Sequence, residues 1–160
     1  MATETLSTPP PLSHVLETCL YVRDVGMSVK FYEEVLNIVP FNKSARGAGF
    51  ALGSTTFLLF QLGGTTADIE DEGGVIPAHG PSPSILPQFL SSEKDVKLRQ
   101  HFCLAVRTAE EVQRWDAHLQ ARGVPILSRM DWPKGGKSVY FEDPDGHIAE
   151  IGSRGLWPHY

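Results

Sequence analysis

The sequence predicts an α+β fold in which one β-α-β-β-β unit is used twice. Three observations carry this. Glu17-Thr-Cys-Leu-Tyr-Val-Arg23 and His101-Phe-Cys-Leu-Ala-Val-Arg107 are copies of one phrase, with Cys, Leu, Val and Arg recurring at an offset of 84 (103 minus 19). Each phrase is followed by apolar residues at helical spacing. Each half then ends in short apolar, β-prone runs, Phe57–Leu62 and His147–Ile151. A repeat of this kind has to be weighed before any local reading, because it sets the architecture.

The elements follow in order. Strand 17–23 alternates, so Leu20 and Val22 share a face with Thr18, and Glu17, Cys19 and Tyr21 share the other. Asp24 to Ser28 reads as a loop and helix start. Val29, Phe31, Tyr32, Val35 and Leu36 then keep helical spacing, and the helix is expected to end near Asn37, before Pro40. Runs 50–52 and 57–62 read as strands turned at Gly53-Ser54-Thr55, with a weaker strand around 41–48. In the second half, Thr108-Ala-Glu-Glu111 has the form of a capping box. Val112, Trp115, Leu119 and Ala109 line one helix face, and Gly123 suits its stop. Val124–Met130 and Val139–Phe141 read as strands. Asp143-Pro144-Asp145-Gly146 is a turn signal, and His147–Ile151 closes the half.

These elements divide the chain into an arm at 1–13, a first module at about 17–62, a linker or lid at 63–100, a second module at about 101–152 and a tail at 153–160. Modules, linker and tail make one domain, 14–160. One hundred and sixty residues with 41% hydrophobic and 21% charged suit one globular domain of two small modules. The linker holds four prolines and is long for a connection inside a compact domain. Val96–Gln100 within it suggests a short helical turn. A net charge of −5 argues against nucleic acid and anionic membranes as partners. No apolar run approaches the roughly 20 residues of a membrane span. The start has no secretory or transit signature, and its three prolines suggest an extended arm. Two cysteines, each inside an expected strand, fit reduced thiols in a cytoplasmic protein.

The copies place polar, metal-capable residues at matched points. Glu17 and His101 head the opening strands. Setting Gln61 against Glu150, at an offset of 89, aligns the closing strands and also pairs Leu62 with Ile151 and Gly63 with Gly152. His14 is a rival to Glu17, but it has the wrong parity for the same face unless a bulge intervenes.

The doubled unit resembles the vicinal oxygen chelate superfamily, which includes glyoxalase I, extradiol dioxygenases, fosfomycin-resistance transferases and bleomycin-binding proteins. Glu17-Thr-Cys-Leu-Tyr-Val-Arg-Asp24 with Ser28-Val-Lys-Phe31-Tyr32 and Val35-Leu36 is similar to its opening phrase. Asp143-Pro-Asp-Gly-His-Ile-Ala-Glu150-Ile is similar to its closing phrase. The resemblance implies a half-open mixed β-barrel with the helices outside. It further implies a divalent metal (Zn, Ni, Co, Mn or Fe) held by Glu17, Gln61, His101 and Glu150. Two carboxylates would balance its charge. Glu150 is then the first candidate base and Glu17 the second. The implied activity is a glyoxalase I-like lyase or isomerase on a small molecule with vicinal oxygens. The alternatives are an Fe(II)-dependent oxygenase or a metal-free small-molecule binding protein. Lys134 and Lys137, around Gly135-Gly136, resemble a basic loop that holds substrate carboxylates. His79 is a linker residue that could close over the site, with nothing in the sequence to fix its position, and Cys19 and Cys103 read as small core residues. Trp157 and Tyr160 in the tail call for an apolar surface, on the barrel or on a second copy, which favours a homodimer.

Overall fold

The computed structural model describes residues 9–91 and 96–160. The first eight residues of the expected arm lie outside the described residues. Strand β1 (Glu17–Val22) leads to helix α1 (Val25–Glu34), then β2 (Asn42–Lys43), β3 (Gly47–Leu52) and β4 (Thr55–Gln61). The linker carries the hairpin β5 (Ile69–Asp71) and β6 (Gly74–Ile76) and the short helix α2 (Leu86–Phe89). The second module repeats the first as β7 (His101–Val106), α3 (Ala109–Ala121), β8 (Ile126–Asp131), β9 (Lys137–Glu142) and β10 (Ile148–Ser153). The sheets have orders β1-β4-β3-β2 and β7-β10-β9-β8, each mixed, with the first and last strands of a module parallel. Neither sheet closes into a barrel. No described helix is long and apolar enough to cross a membrane.

Local chemistry explains the helix boundaries. Asp24 caps α1 by accepting from the Met27 amide at 2.8 Å. The helix stops at Glu34, three residues short of the expected end, and Asn37 follows with φ of 55°, a left-handed conformation that Asn tolerates better than most residues. The capping box at Thr108 and Glu111 forms as expected, each side chain meeting the other residue's backbone amide. Residues 96–100 take no helical turn; the segment is irregular, with Arg99 at φ of 58°, and leads into β7.

One core serves both modules. Leu20, Val22, Phe57 and Leu59 of the first sheet pack with Val139, Phe141, Ala149 and Ile151 of the second, with Val29 and Tyr32 of α1 and Val112 and Leu119 of α3 among them. Phe57 and Phe102 meet across the modules with ring centroids 5.2 Å apart. Each such side chain, fully buried, is worth roughly 1.5–3 kcal/mol. The opposite face of each sheet carries Glu17, Cys19 and Tyr21 in module one and His101, Cys103 and Glu150 in module two.

A buried polar knot joins the modules at the Asp143–Gly146 turn. Asp145 accepts from the Arg23 amide at 2.9 Å, the Arg23 guanidinium at 3.3 Å and the Ser28 hydroxyl at 3.1 Å. Asp143 accepts from Tyr32 at 3.1 Å and from the amides of Asp145 and His147 at 2.9 Å. The wholly buried His147 ring spans Tyr21 O at 2.8 Å and the Gln100 amide at 3.2 Å. With the amide donating to Nδ1, the neutral ring carries its proton on Nε2 and donates it to Tyr21. Gly146, at φ of 79°, allows the turn and leaves room for Lys97, whose Cβ would lie 2.8 Å from an added methyl.

Burial pushes the Asp143 carboxyl up, against the hydrogen bond from the His147 backbone amide. A carboxyl raised in the folded state favours folding when protonated, so its own contribution falls as pH rises through the folded value. Asp143→Ala removes three hydrogen bonds and should cost about 3–5 kcal/mol. Asp143→Asn keeps an oxygen for both amides and should cost under about 1.5 kcal/mol. Urea denaturation of the two variants checks this, and equal losses would contradict the account.

Candidate functional site

The parallel register of β7 and β10 sets Ile148 beside His101 and Glu150 beside Cys103. His101, Cys103 and Glu150 share a face, so the imidazole and the carboxylate converge. His101 Nε2 lies 3.3 Å from Glu150 Oε2. The Glu150 side chain is only 6% exposed, against 53% for His101. Ser138 on β9 donates its hydroxyl to Glu150 Oε1 at 2.5 Å and accepts from Trp132 Nε1 at 2.8 Å. Tyr140, two residues along β9, stacks near His101 with centroids 6.3 Å apart. Gly152 keeps this corner open: a methyl there would sit 2.7 Å from Leu156, 3.1 Å from Cys103 Sγ and 3.4 Å from Glu150 Oε1.

The carboxylate shapes its neighbours. Burial, and then the Glu150 charge, push the Cys103 thiol up to about 12. The same causes, in the same order, push the Tyr140 phenol up to about 12. Cys103 is exposed as a residue, but its sulfur is hemmed in by Gly152 and Glu150. Both groups therefore stay protonated at neutral pH and can donate to Glu150.

The first module places its expected ligands elsewhere. Gln61 pairs with Val22, and by alternation it shares the core face of Phe57 and Leu59 rather than the face of Glu17. Its amide donates to Arg23 O at 2.5 Å and accepts from the Val25 amide at 3.4 Å, closing the β1–α1 turn. Its register partner makes it the counterpart of Ser153, not of Glu150. The counterpart of Glu150 is Leu58, which pairs with Cys19 as Glu150 pairs with Cys103. The alignment at an offset of 89 is thus three residues out of register, because the loops before β4 and β10 differ in length.

Glu17 faces the same side as Cys19 and Tyr21, beside Thr56, at the start of β1. The far end of that strand meets module two, through Tyr21 with Gln100 and His147. Four residues of strand, about 13 Å, therefore separate Glu17 from that junction. Among the described residues no three His, Cys, Asp or Glu side chains gather into a metal-holding group. Within one chain the structure brings together His101 and Glu150 but not Glu17 or Gln61.

The other candidates are dispersed. His14 is exposed and bonded to its neighbour Ser13 at 2.8 Å. Lys137 has the opposite parity to Ser138, facing away from Glu150, and its ammonium pairs with Asp131. Lys134 is exposed in the turn between β8 and β9. Cys19 is half-buried behind Glu17. His79 does close over a face, but that of module one, where its Nδ1 meets the Tyr21 hydroxyl. In the tail, Tyr160 donates to Val106 O at 2.8 Å, whereas Trp157 stays 61% exposed. Ser138 and Tyr140 escaped the sequence reading. Their alternation within β9 was legible, but the register that sets them beside Glu150 was not.

The model of the Glyoxalase/Bleomycin resistance protein/Dioxygenase superfamily matches residues 12–151. The chain belongs to this superfamily. Among solved structures it is similar to lactoylglutathione lyase from Agrobacterium tumefaciens, at 27% identity and a TM-score of 0.76, over 93% of this chain and 99% of that one. A glyoxalase/bleomycin resistance protein/dioxygenase from Nocardioides shares the fold at 22% identity and a TM-score of 0.62, over 97% and 91%. So does an integron cassette protein from the mobile metagenome of Vibrio cholerae, at 23% identity and a TM-score of 0.60, over 92% and 99%. The glyoxalase-like fold of two βαβββ modules is thereby established for this chain, as the sequence resemblance implied.

The thiol beside Glu150 offers a direct check on the electrostatics of this face. Cys103 should react with iodoacetamide at pH 8 at least about a hundredfold more slowly than a free thiol, since only its thiolate is nucleophilic. Mass spectrometry of the peptide containing Cys103 reads the rate. Alkylation at the free-thiol rate would mean that the thiol is not held protonated.

Proposed function

We propose that the chain is a metal-dependent, glyoxalase-like lyase or isomerase acting on a small molecule with vicinal oxygens. The observation that carries this is the His101–Glu150 pair, an imidazole and a nearly buried carboxylate 3.3 Å apart on an open sheet face. One oxygen of Glu150 is fixed by Ser138 and the other is directed at His101. Such a carboxylate can take a proton from carbon and return it to the neighbouring atom while Ser138 holds its orientation. Tyr140 and Cys103, both kept protonated, supply donors around it. The superfamily contains lyases, and the Agrobacterium structure is named as one.

The donor set fits a metal in part. His101 and Glu150 offer one nitrogen and one oxygen on the same face, and a third donor is needed for a firm site. Glu17 has the right chemistry and faces the right side of its own sheet, but it does not reach the pair in one chain. We infer that it is supplied by a second copy, in a homodimer in which the open face of module one of one chain meets the open face of module two of the other. A bound divalent ion would act there as a Lewis acid on a substrate oxygen. Two carboxylates would leave such a site near neutral. Exposed Trp157, Leu127 and Met130 give the second module an apolar rim suited to a partner surface. The reduced cysteines suit a cytoplasmic setting.

A second reading is favoured by one observation. Leu58 stands where module two has Glu150, so module one lacks a closing-strand ligand. A metal-free binding protein of the same superfamily would show that pattern.

Reconstitution with Co(II) and elemental analysis separate the two readings. About one ion per chain is expected, falling at least tenfold in affinity in His101→Ala and little in Gln61→Ala. Absence of stoichiometric metal would leave the binding reading. With lactoylglutathione as the first substrate, Glu150→Gln should lower turnover by at least about a thousandfold with the fold intact. Mixing Glu17→Ala with Glu150→Ala chains should restore metal binding to part of the sites, because a dimer with sites shared between chains then contains one intact set. No restoration on mixing would confine each site to one chain.

A further inference from the structure

The face of module one opposite the core is a cup of about 790 Å³, lined by β1, β3 and β4 and walled by the linker hairpin. It does not include His101 or Glu150. Its floor is apolar, with Leu58 and Phe60, and Ile69 and Ile76 come from the hairpin. Its polar groups crowd at one end. Tyr21, Phe60 and Gly47 are register neighbours across three strands, and Arg46 precedes Gly47. The Tyr21 hydroxyl meets His79 Nδ1, and the His79 ring packs edge-on against Phe60 with centroids 4.9 Å apart.

This end is built, not incidental. Thr65 fixes His79 from both sides, accepting from the His79 amide at 3.0 Å and donating its hydroxyl to His79 O at 2.6 Å. Arg46 is anchored beside it, donating Nη2 to Gly64 O at 3.0 Å. Burial raises the Tyr21 phenol, so it remains a donor. With Tyr21 donating to Nδ1, the neutral His79 ring keeps its proton on Nε2, as a second donor. Arg46 and Lys43 add positive charge at this end of the cup. The one carboxylate of the lining, Glu17, lies at the opposite end of β1, beside Thr56.

We propose that this cup binds a small planar aromatic carboxylate, its ring over Phe60 and Leu58 and its anionic group between Arg46 and His79. Apolar walls with a few convergent polar groups are the usual composition of a small-molecule site. Three rings at one end, Tyr21, Phe60 and His79, suit a flat ligand. The guanidinium fork suits a carboxylate better than a point cation does. The cup shares Glu17 with the proposed metal site, so the ligand class rests on that reading; the test uses metal-free protein so that loss of metal and loss of naphthoate are read separately.

The full chain, treated with EDTA, is titrated with 2-naphthoate and with its uncharged isostere 2-naphthamide, followed by amide resonances in nitrogen–proton NMR. The expected result is that naphthoate binds at least fivefold more tightly than the amide. Its shifts should centre on Tyr21, Phe60, Thr65 and His79. Arg46→Gln should bring naphthoate down to the affinity of the amide and leave the amide unchanged. Should that variant fail to fold, Lys43→Gln should weaken naphthoate at least twofold. Equal affinities for the two probes, shifts centred instead on Phe102 and Trp115, or no shifts at millimolar naphthoate would overturn the proposal.

Discussion

The relative placement of the two modules depends on the turn at Asp143–Gly146. Its two carboxylates are buried, and burying a carboxylate costs several kcal/mol unless donors surround it. The donors come mostly from the other module: Arg23, Ser28 and Tyr32. The turn is therefore satisfied only when module one is docked in one orientation. Arg23 extends the constraint to the linker, donating to Phe89 O at 2.7 Å and Val96 O at 2.5 Å. The apolar core supplies most of the driving force, but it is not directional. The knot supplies the direction.

That orientation decides what the open faces can do. It places the end of β1 beside the start of β7 and so keeps Glu17, at the other end of its strand, away from His101. Two half-sites result. One holds an imidazole and a buried carboxylate; the other holds aromatic rings, cations and a single exposed carboxylate. A fixed module pair cannot fold one half-site onto the other without breaking the knot. In the proposed dimer a second copy brings Glu17 to the pair at no cost to that network.

Much of the fold was legible because alternation and helical spacing are local. Leu20 and Val22 announced the core face of β1, and Thr108 with Glu111 announced the start of α3. His101 and Glu150 were legible for the same reason, each being marked by parity within its own strand. Register is not local. Gln61 was placed opposite Glu150 by matching letters, while the number of residues between strands decides which letters meet. Its parity already set it with Phe57 and Leu59, on the core face. The direction of Lys137 was illegible for the same reason, since a basic loop near the site says nothing about the side of β9 from which its cation departs. The linker was unreadable for another reason. Its hairpin and His79 are held by Thr65 and Tyr21, contacts separated by up to 58 residues that leave no periodic trace.

The asymmetry of the two copies follows from a single strand position. Leu58 and Glu150 are equivalent in register, each beside a cysteine on the adjoining strand. A carboxylate at this position needs donors, and module two provides them through Ser138 and the protonated groups of Cys103 and Tyr140. Gly49, paired with Leu58, is the counterpart of Tyr140 and offers no side chain at all. A glutamate at position 58 would find no such donor on β3, and the apolar Leu58 instead lines the cup with Phe60. The same backbone thus supports a buried carboxylate where β9 bears hydroxyls and an apolar floor where β3 bears glycine.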